Sequence, residues 1–193
     1  SFEIAYSDEQ NTRQNPYQTS WGLSTRSIGG LILSHGDDNG LILPPNIAPY
    51  QCILMPLESK DETVNSKIRD IIAKLVTQFE SENIRYKINK DFDKSYGYRA
   101  SLVEISGSPF RIEIGQKEIE KGACIVVTRD TFEKKTVSLD AVVEYIQDES
   151  KKMHMRLLVA SKENKEALTK EVDTFEQFKQ TMSEKKSFIR AFW

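Results

Sequence analysis

Gln51-Cys-Ile-Leu-Met-Pro-Leu57 is a short apolar run of the length and composition of a fully buried strand. Beyond it the period changes. Val64, Ile68, Ile71, Ile72, Leu75, Val76 and Phe79 recur three and four residues apart, the stripe of an amphipathic helix. Arg85 to Ile88 then reads as a short strand, and Phe110-Arg-Ile-Glu-Ile114 alternates apolar and charged residues as a strand with one exposed face does. Ala123 to Thr128 is a β-rich run, followed by a turn near Asp130 to Lys134 and a return strand to Ser138. Leu139, Val143, Ile146, Met153 and Leu157 predict a long helix capped by Ser138. Strands separated by helices imply an α/β domain of three layers built on a mixed sheet.

On the N-terminal side, Ser1 to Tyr6 reads as a strand and Ser7 to Asn15 as a polar loop. Thr19 to Thr25 reads as a strand, with Arg26 opening a helix whose face is Ile28, Leu31, Ile32 and His35 and whose cap is Ser24 or Thr25. Gly29-Gly30 inside that helix costs about 1 kcal/mol per residue relative to Ala, which implies close packing against its backbone. Gly36 to Gly40 is a turn, and Leu41 to Pro45 a linker stiffened by two prolines. On the C-terminal side, Thr174-Phe-Glu-Gln177 is a capping box, with Phe175, Phe178 and Met182 as the apolar face of its helix. Ser187 to Trp193 reads as a strand. The expected division is 1–43, 44–150 and 151–193. A first residue that is not Met and a last one in mid-strand give the expectation of a piece of a longer protein.

With 38% hydrophobic and 29% charged residues, the chain has the balance of a folded globular protein rather than a disordered one. The longest apolar run, Ala123 to Val127, is five residues, against the roughly 20 of a membrane-spanning helix. The expectation is a cytoplasmic protein with no membrane association and no secretory leader. Cys52 and Cys124 sit singly in apolar runs, which reads as two buried free thiols. The 27 Lys/Arg against 29 Asp/Glu give a net charge of −2, which argues against a generic nucleic-acid coat. From Lys151 onward, however, ten basic residues face six acidic ones, so a local basic surface is available to a polyanion.

Two stretches carry candidate chemistry. In Thr19-Ser-Trp-Gly-Leu-Ser-Thr-Arg26, Ser20 and Ser24 offer hydroxyls on one face of an extended segment and Gly22 admits close approach of a ligand. Arg26 supplies a planar fork for phosphate oxygens. A half-buried edge strand with a snorkelling arginine accounts for the same pattern. The second stretch, Gly97 to Glu118, gathers Arg99, Glu104, Arg111, Glu113 and Lys117. Carboxylates and guanidiniums on one face are able to read base edges; a solvated sheet face with ion pairs worth little is the plainer alternative. His35 and His154 have no Ser, Cys or Asp arrangement around them and read as structural, so no residue is expected to act as a catalytic acid or base. P-loop, dinucleotide and zinc-pair motifs are absent.

The run Thr19 to Pro45, Thr-Ser-Trp-Gly-Leu-Ser-Thr-Arg-Ser-Ile-Gly-Gly-Leu-Ile-Leu-Ser-His-Gly-Asp-Asp-Asn-Gly-Leu-Ile-Leu-Pro-Pro, resembles the third class II signature of prolyl-tRNA synthetases of the archaeal/eukaryotic-like type, with the linker that follows it. Gly97-Tyr-Arg99, Glu104, Gly107-Ser-Pro-Phe-Arg-Ile-Glu-Ile-Gly115 and Lys117-Glu118 are similar to the anticodon-reading region of that family. Gln116-Lys-Glu118 departs from the family's proline-arginine-aspartate, and Ser106 stands where the family has lysine. The resemblance implies the end of a class II catalytic domain (1–43), an anticodon-binding domain (44–150) and the start of an α+β C-terminal domain (151–193), cut before its cysteine-bearing region, so that no zinc is expected. It also implies that Ser20, Trp21 and Gly22 border the proline pocket and that Ser24 and Arg26 hold ATP. Glu104, Arg111 and Lys117 become readers of the two guanines of proline anticodons, with Arg99 on a backbone phosphate. The intact enzyme is then an ATP- and magnesium-dependent proline–tRNA ligase, a homodimer whose partners are tRNA(Pro), proline and ATP, while this stretch alone is inactive. A synthetase-like accessory module for protein binding, or another class IIa synthetase, remain the alternatives.

Overall fold

The computed structural model describes residues 3–184 and 187–191. Two compact units make up the chain, Ser1–Gly30 and Leu31–Trp193.

In the first unit, β1 (Tyr6–Ser7) pairs antiparallel with β2 (Arg13–Gln14). The Asp8 carboxylate organises the turn between them, accepting from the backbone of Gln10 and Thr12 and from Gln14 Nε2 at 2.8–3.0 Å. The strand expected over Ser1 to Tyr6 is thus only Tyr6–Ser7; Ser1 and Phe2 lie outside the described residues. Residues 15–24 form no strand, because no described segment lies beside them to complete a ladder. Trp21 is accordingly 95% exposed. Helix α1 (Arg26–His35) opens at Arg26 as expected, its first turn closed by the carbonyls of Ser24 and Thr25. It buries none of its residues, and a Cβ at Gly29 or Gly30 would meet nothing within 4 Å. The close packing expected at that glycine pair is therefore absent here.

The second unit holds a five-stranded sheet in the order β4-β3-β5-β6-β7. These are β3 (Cys52–Pro56), β4 (Tyr86–Ile88), β5 (Phe110–Ile114), β6 (Ala123–Thr128) and β7 (Lys134–Ser138). β3 runs parallel to both β4 and β5, whereas β5, β6 and β7 are antiparallel neighbours, so the sheet is mixed. Its register puts Cys52, Leu54, Phe110, Ile112, Ile114, Cys124, Val126 and Val137 on one face. That face is covered by Ile68, Ile72, Leu75 and Phe79 of α2 (Glu62–Ser81) and by Val142 and Ile146 of α5 (Val142–Leu168), which together form the core. Each large side chain fully buried there is worth about 1.5–3 kcal/mol. Asp61 caps α2 by accepting from Thr63 N at 2.9 Å. Both cysteines are free and buried; burial raises both thiols, Cys124 to about 12.

The other face receives α3 (Tyr96–Ser106), completing three layers. Its C-cap Gly107 has φ 73°, a left-handed conformation that favours glycine, and a Cβ there would fall 2.5 Å from Leu41 Cβ. A short α4 (Gln116–Glu120) joins β5 to β6.

The division expected at residue 150 falls inside α5, which runs unbroken through it. Ala141, not Ser138, stands at the N-cap, and no side chain among the described residues caps the helix. Beyond it β8 (Thr169–Val172) pairs parallel with β9 (Phe188–Ala191), with α6 (Phe175–Glu184) between them. The capping box is made as expected: Gln177 N donates to Thr174 Oγ1 and Thr174 N to Gln177 Oε1, both at 3.2 Å. Of its expected apolar face, Phe175 and Met182 are exposed, while Phe178 is half-buried. The strand expected to Trp193 ends at Ala191; Phe192 and Trp193 lie outside the described residues. No described helix is long and apolar enough to cross a membrane.

Candidate nucleic-acid interface

Side chains alternate across a strand, so the face opposite the core carries Ile53, Met55, Arg111, Glu113, Ile125, Val127, Lys134 and Thr136. Helix α3 covers the β3–β5 part of it. Toward β7 the face is open, with Lys134 and Thr136 exposed and Ile125 half-buried.

α3 is positioned from its start by Ser95, whose hydroxyl accepts from Tyr98 N. Tyr96, in the first turn, donates its hydroxyl to Glu113 Oε1 at 2.8 Å. Two turns on, Glu104 accepts from Arg111 Nη1 at 2.7 Å. Arg111 also donates through Nε to Glu113 Oε1 at 2.9 Å and through Nη1 to the Ala100 carbonyl at 3.4 Å. The result is a guanidinium, 5% exposed, held between two carboxylates. Burial works against its charge, and the hydrogen bonds it donates to Glu104 and Glu113 outweigh that and keep its pKa raised. The expectation of a solvated face with weak ion pairs is overturned, since Glu113 too is buried, at 3% exposure. Removing one member of such a buried pair costs about 3–5 kcal/mol.

The cluster is not closed. The Glu104 side chain is 26% exposed, and its second carboxylate oxygen makes no hydrogen bond among the described residues. Lys134 Nζ stands 3.4 Å from Tyr96 Oη at the open edge. Lys117, in α4 six residues beyond Arg111, is exposed and free of ion pairs among the described residues. Arg99 is not brought together with these groups. It points into the β4–α3 connection, donating from Nε to Asn89 Oδ1 (3.1 Å) and from Nη2 to the Asn89 carbonyl (3.2 Å) beside the Phe92 ring.

The family whose description is anticodon binding domain matches residues 51–149, just over half the chain. The chain belongs to the anticodon-binding domain family. Over its whole length it is also similar to proline–tRNA ligases, 39% identical to that of Lachnoclostridium phytofermentans and 40% to that of Agathobacter rectalis. It spans 39% of the length of each of these relatives. Among solved structures, prolyl-tRNA synthetase from Cryptosporidium parvum, complexed with L-proline and AMP, superimposes with a TM-score of 0.87 at 31% identity. That match covers 100% of this chain and 41% of the other.

The remaining expected site residues lie in the first unit. Ser20, Trp21, Gly22 and Ser24 are exposed in the segment before α1, and Arg26 is exposed at the first residue of α1. No side-chain hydrogen bond or ion pair among the described residues involves any of them. Sequence reasoning missed Tyr96 and Lys134 in the anticodon-binding domain; a Tyr directly before the quoted Gly97-Tyr-Arg99 and the Lys134-Lys135 pair at the strand edge were the available signals.

Proposed function

We propose that this chain reads the anticodon of tRNA(Pro) as part of a proline–tRNA ligase. The observation that carries the reading is the Glu104–Arg111–Glu113 cluster beside an open sheet edge in an anticodon-binding domain. A guanine presents N1–H and N2–H donors next to the O6 acceptor. Glu104 spends one oxygen on Arg111 and keeps the other for those donors. Lys117, and Arg111 through its remaining N–H groups, suit O6 or N7. Because Arg111 and Glu113 are buried and mutually bonded, Glu104 meets the base from a fixed support rather than from a mobile surface. Lys134 and the basic residues beyond Lys151 supply the salt-dependent attraction for phosphates. Arg99 serves the site by holding the β4–α3 connection; a phosphate reaching its guanidinium must first displace Asn89.

In the whole enzyme, ATP, proline and tRNA(Pro) give prolyl-tRNA(Pro), AMP and diphosphate. Ser24 and Arg26 are assigned to the nucleotide, with Arg26 neutralising the departing diphosphate, and Ser20, Trp21 and Gly22 to the proline pocket. Magnesium accompanies ATP in this reading. No three His, Cys, Asp or Glu side chains among the described residues are grouped to hold a metal, so none is assigned to it. The enzyme works as a cytoplasmic homodimer.

The test is a filter-binding titration of this chain with tRNA(Pro) and with the same tRNA carrying both anticodon guanines replaced. Clear preference for the guanines is expected, and Glu104→Gln should cost about 1–3 kcal/mol of that discrimination at one base. Equal, salt-sensitive binding to both tRNAs would sink the reading and favour an accessory protein-binding module.

A further inference from the structure

Arg129 follows β6 directly and is buried, at 3% exposure, two residues beyond Val127, the cross-strand partner of Arg111. Its guanidinium grips the Asp37 carboxylate through both terminal nitrogens, Nη1 to Oδ2 at 2.9 Å and Nη2 to Oδ1 at 2.6 Å. Its Nε donates to the backbone carbonyl of Glu104 at 3.0 Å. The Phe132 ring lies 5.0 Å from the guanidinium carbon, and Phe132 itself sits at φ 56°, a conformation costly for an aromatic residue. Asp37 belongs to the 36–40 turn, a feature to which the anticodon reading gives no role. That turn is in turn laid against α3: Leu41 N donates to the Ile105 carbonyl and Leu43 N to that of Gly107, at 3.2 and 3.1 Å. A Cβ at Gly40, whose φ is 132°, would fall 2.5 Å from Ile105 Cα.

We infer that Arg129, clamped by Asp37, is a positioning residue that sets the angle at which Glu104 offers its carboxylate to an anticodon base. The inference rests on the function proposed above. Glu104 lies in the last turn of α3, where carbonyls have lost their helical partners and the helix is free to fray. Its carbonyl is held from two directions, by Gly107 N at 3.1 Å and by Arg129 Nε. Its carboxylate is held by Arg111. One residue therefore has both ends fixed by arginines, and the second arginine is itself fixed by the two-pronged bond to Asp37. A buried guanidinium is an expensive way to fill space, since apolar groups of similar volume stabilise as well or better. What the fork adds over such a plug is direction. A shift of the last turn by a fraction of an ångström moves the free Glu104 oxygen relative to a base donor, and hydrogen bonds of this kind weaken steeply with angle.

The experiment uses the whole chain and two variants, Arg129→Lys, which removes the fork, and Asp37→Asn, which leaves Arg129 in place without its clamp. Each is titrated with the tRNA(Pro) anticodon stem-loop and with the loop whose guanines are replaced, and amide hydrogen exchange is followed at residues 105–107. The expected result is a loss of about tenfold in preference for the guanine loop in Arg129→Lys, on the scale of one well-made base contact, and a smaller loss in Asp37→Asn. Affinity for the substituted loop stays unchanged and exchange at 105–107 rises. A purely structural role predicts equal weakening of both loops, and that outcome overturns the inference. Faster exchange with undiminished guanine preference overturns it as well. If the unaltered chain shows no preference for guanines, the anticodon reading fails and the inference falls with it; preference kept in the unaltered chain and in both variants rejects the inference alone.

Discussion

The stretches Thr19–Arg26 and Tyr96–Lys117 are equally polar to the eye, and the structure treats them in opposite ways. In the second, Arg111 and Glu113 are buried, Glu104 is tied to Arg111, and Tyr96 closes the group. In the first, Trp21 is exposed and the Ser24 and Arg26 side chains bond to nothing among the described residues. The difference lies in where the partners are encoded. The Glu104–Arg111–Glu113 cluster draws every partner from within about twenty residues of α3 and β5, plus one strand edge, so it assembles with the domain. The signature stretch contains hydroxyls, a glycine and a guanidinium without the groups that would orient them. A site of the first kind is part of the fold; a site of the second kind is a set of functional groups awaiting a scaffold.

The sharpest way to break this comparison is to remove the arginine from each stretch. Arg111→Met leaves Glu113 buried with only Tyr96 as donor, and should lower unfolding stability by about 3–5 kcal/mol in urea titrations. Arg26→Ala should change it by no more than about 0.5 kcal/mol, the range of surface substitutions. Similar losses in both would mean that the first stretch is as well integrated as the second.

The core side of the sheet was legible because periodicity and burial agree there. Gln51 to Leu57, the stripe from Val64 to Phe79, and the run from Ala123 to Ser138 all fold as their patterns say. Helix α3 was not read because its pattern is inverted. It buries Arg99, Ala100 and Val103 while leaving Tyr98, Leu102 and Ile105 exposed, so its inner face is marked by only two small apolar residues and an arginine. That omission caused a second one. Arg111 and Glu113 look solvated on Phe110 to Ile114 only if nothing lies over them, and what lies over them is α3. The clamp of Arg129 on Asp37 joins residues 92 apart in sequence, and spacing rules that act over a few residues give no hint of it. Of the candidate site, then, Glu104 and Arg111 were singled out as residue types, while their mutual geometry depended on an unread helix.

Acid sharpens the comparison by testing a salt bridge that bridges distant segments. The hydrogen bonds from Arg129 lower the Asp37 pKa to about 2. A carboxylate whose folded pKa lies below its unfolded one binds fewer protons when folded, so its contribution is complete above the unfolded value near 4 and disappears as pH falls toward 2. With a third of the Asp37 side chain in contact with solvent, screening reduces the contribution to about 1 kcal/mol. Urea midpoints of the chain and of Asp37→Asn should differ at pH 5 and converge by pH 2. A gap that persists at pH 2 would assign the effect to packing rather than to charge.

The smallest effect concerns Gly30 of α1, where the pattern and the structure disagree about a single methyl group. A glycine pair inside a helix suggests that something presses against the backbone, and an added Cβ would then clash. In the structure the space around Gly30 is open, so Gly30→Ala should instead gain helix propensity and stabilise α1 by about 0.5–1 kcal/mol. Because α1 buries none of its own residues, the gain should appear as helicity in far-ultraviolet circular dichroism rather than as a shift of the main unfolding transition, which reports the five-stranded core. A loss of helicity would show that the backbone of α1 is contacted after all, and would move the first stretch closer to the self-contained behaviour of the second.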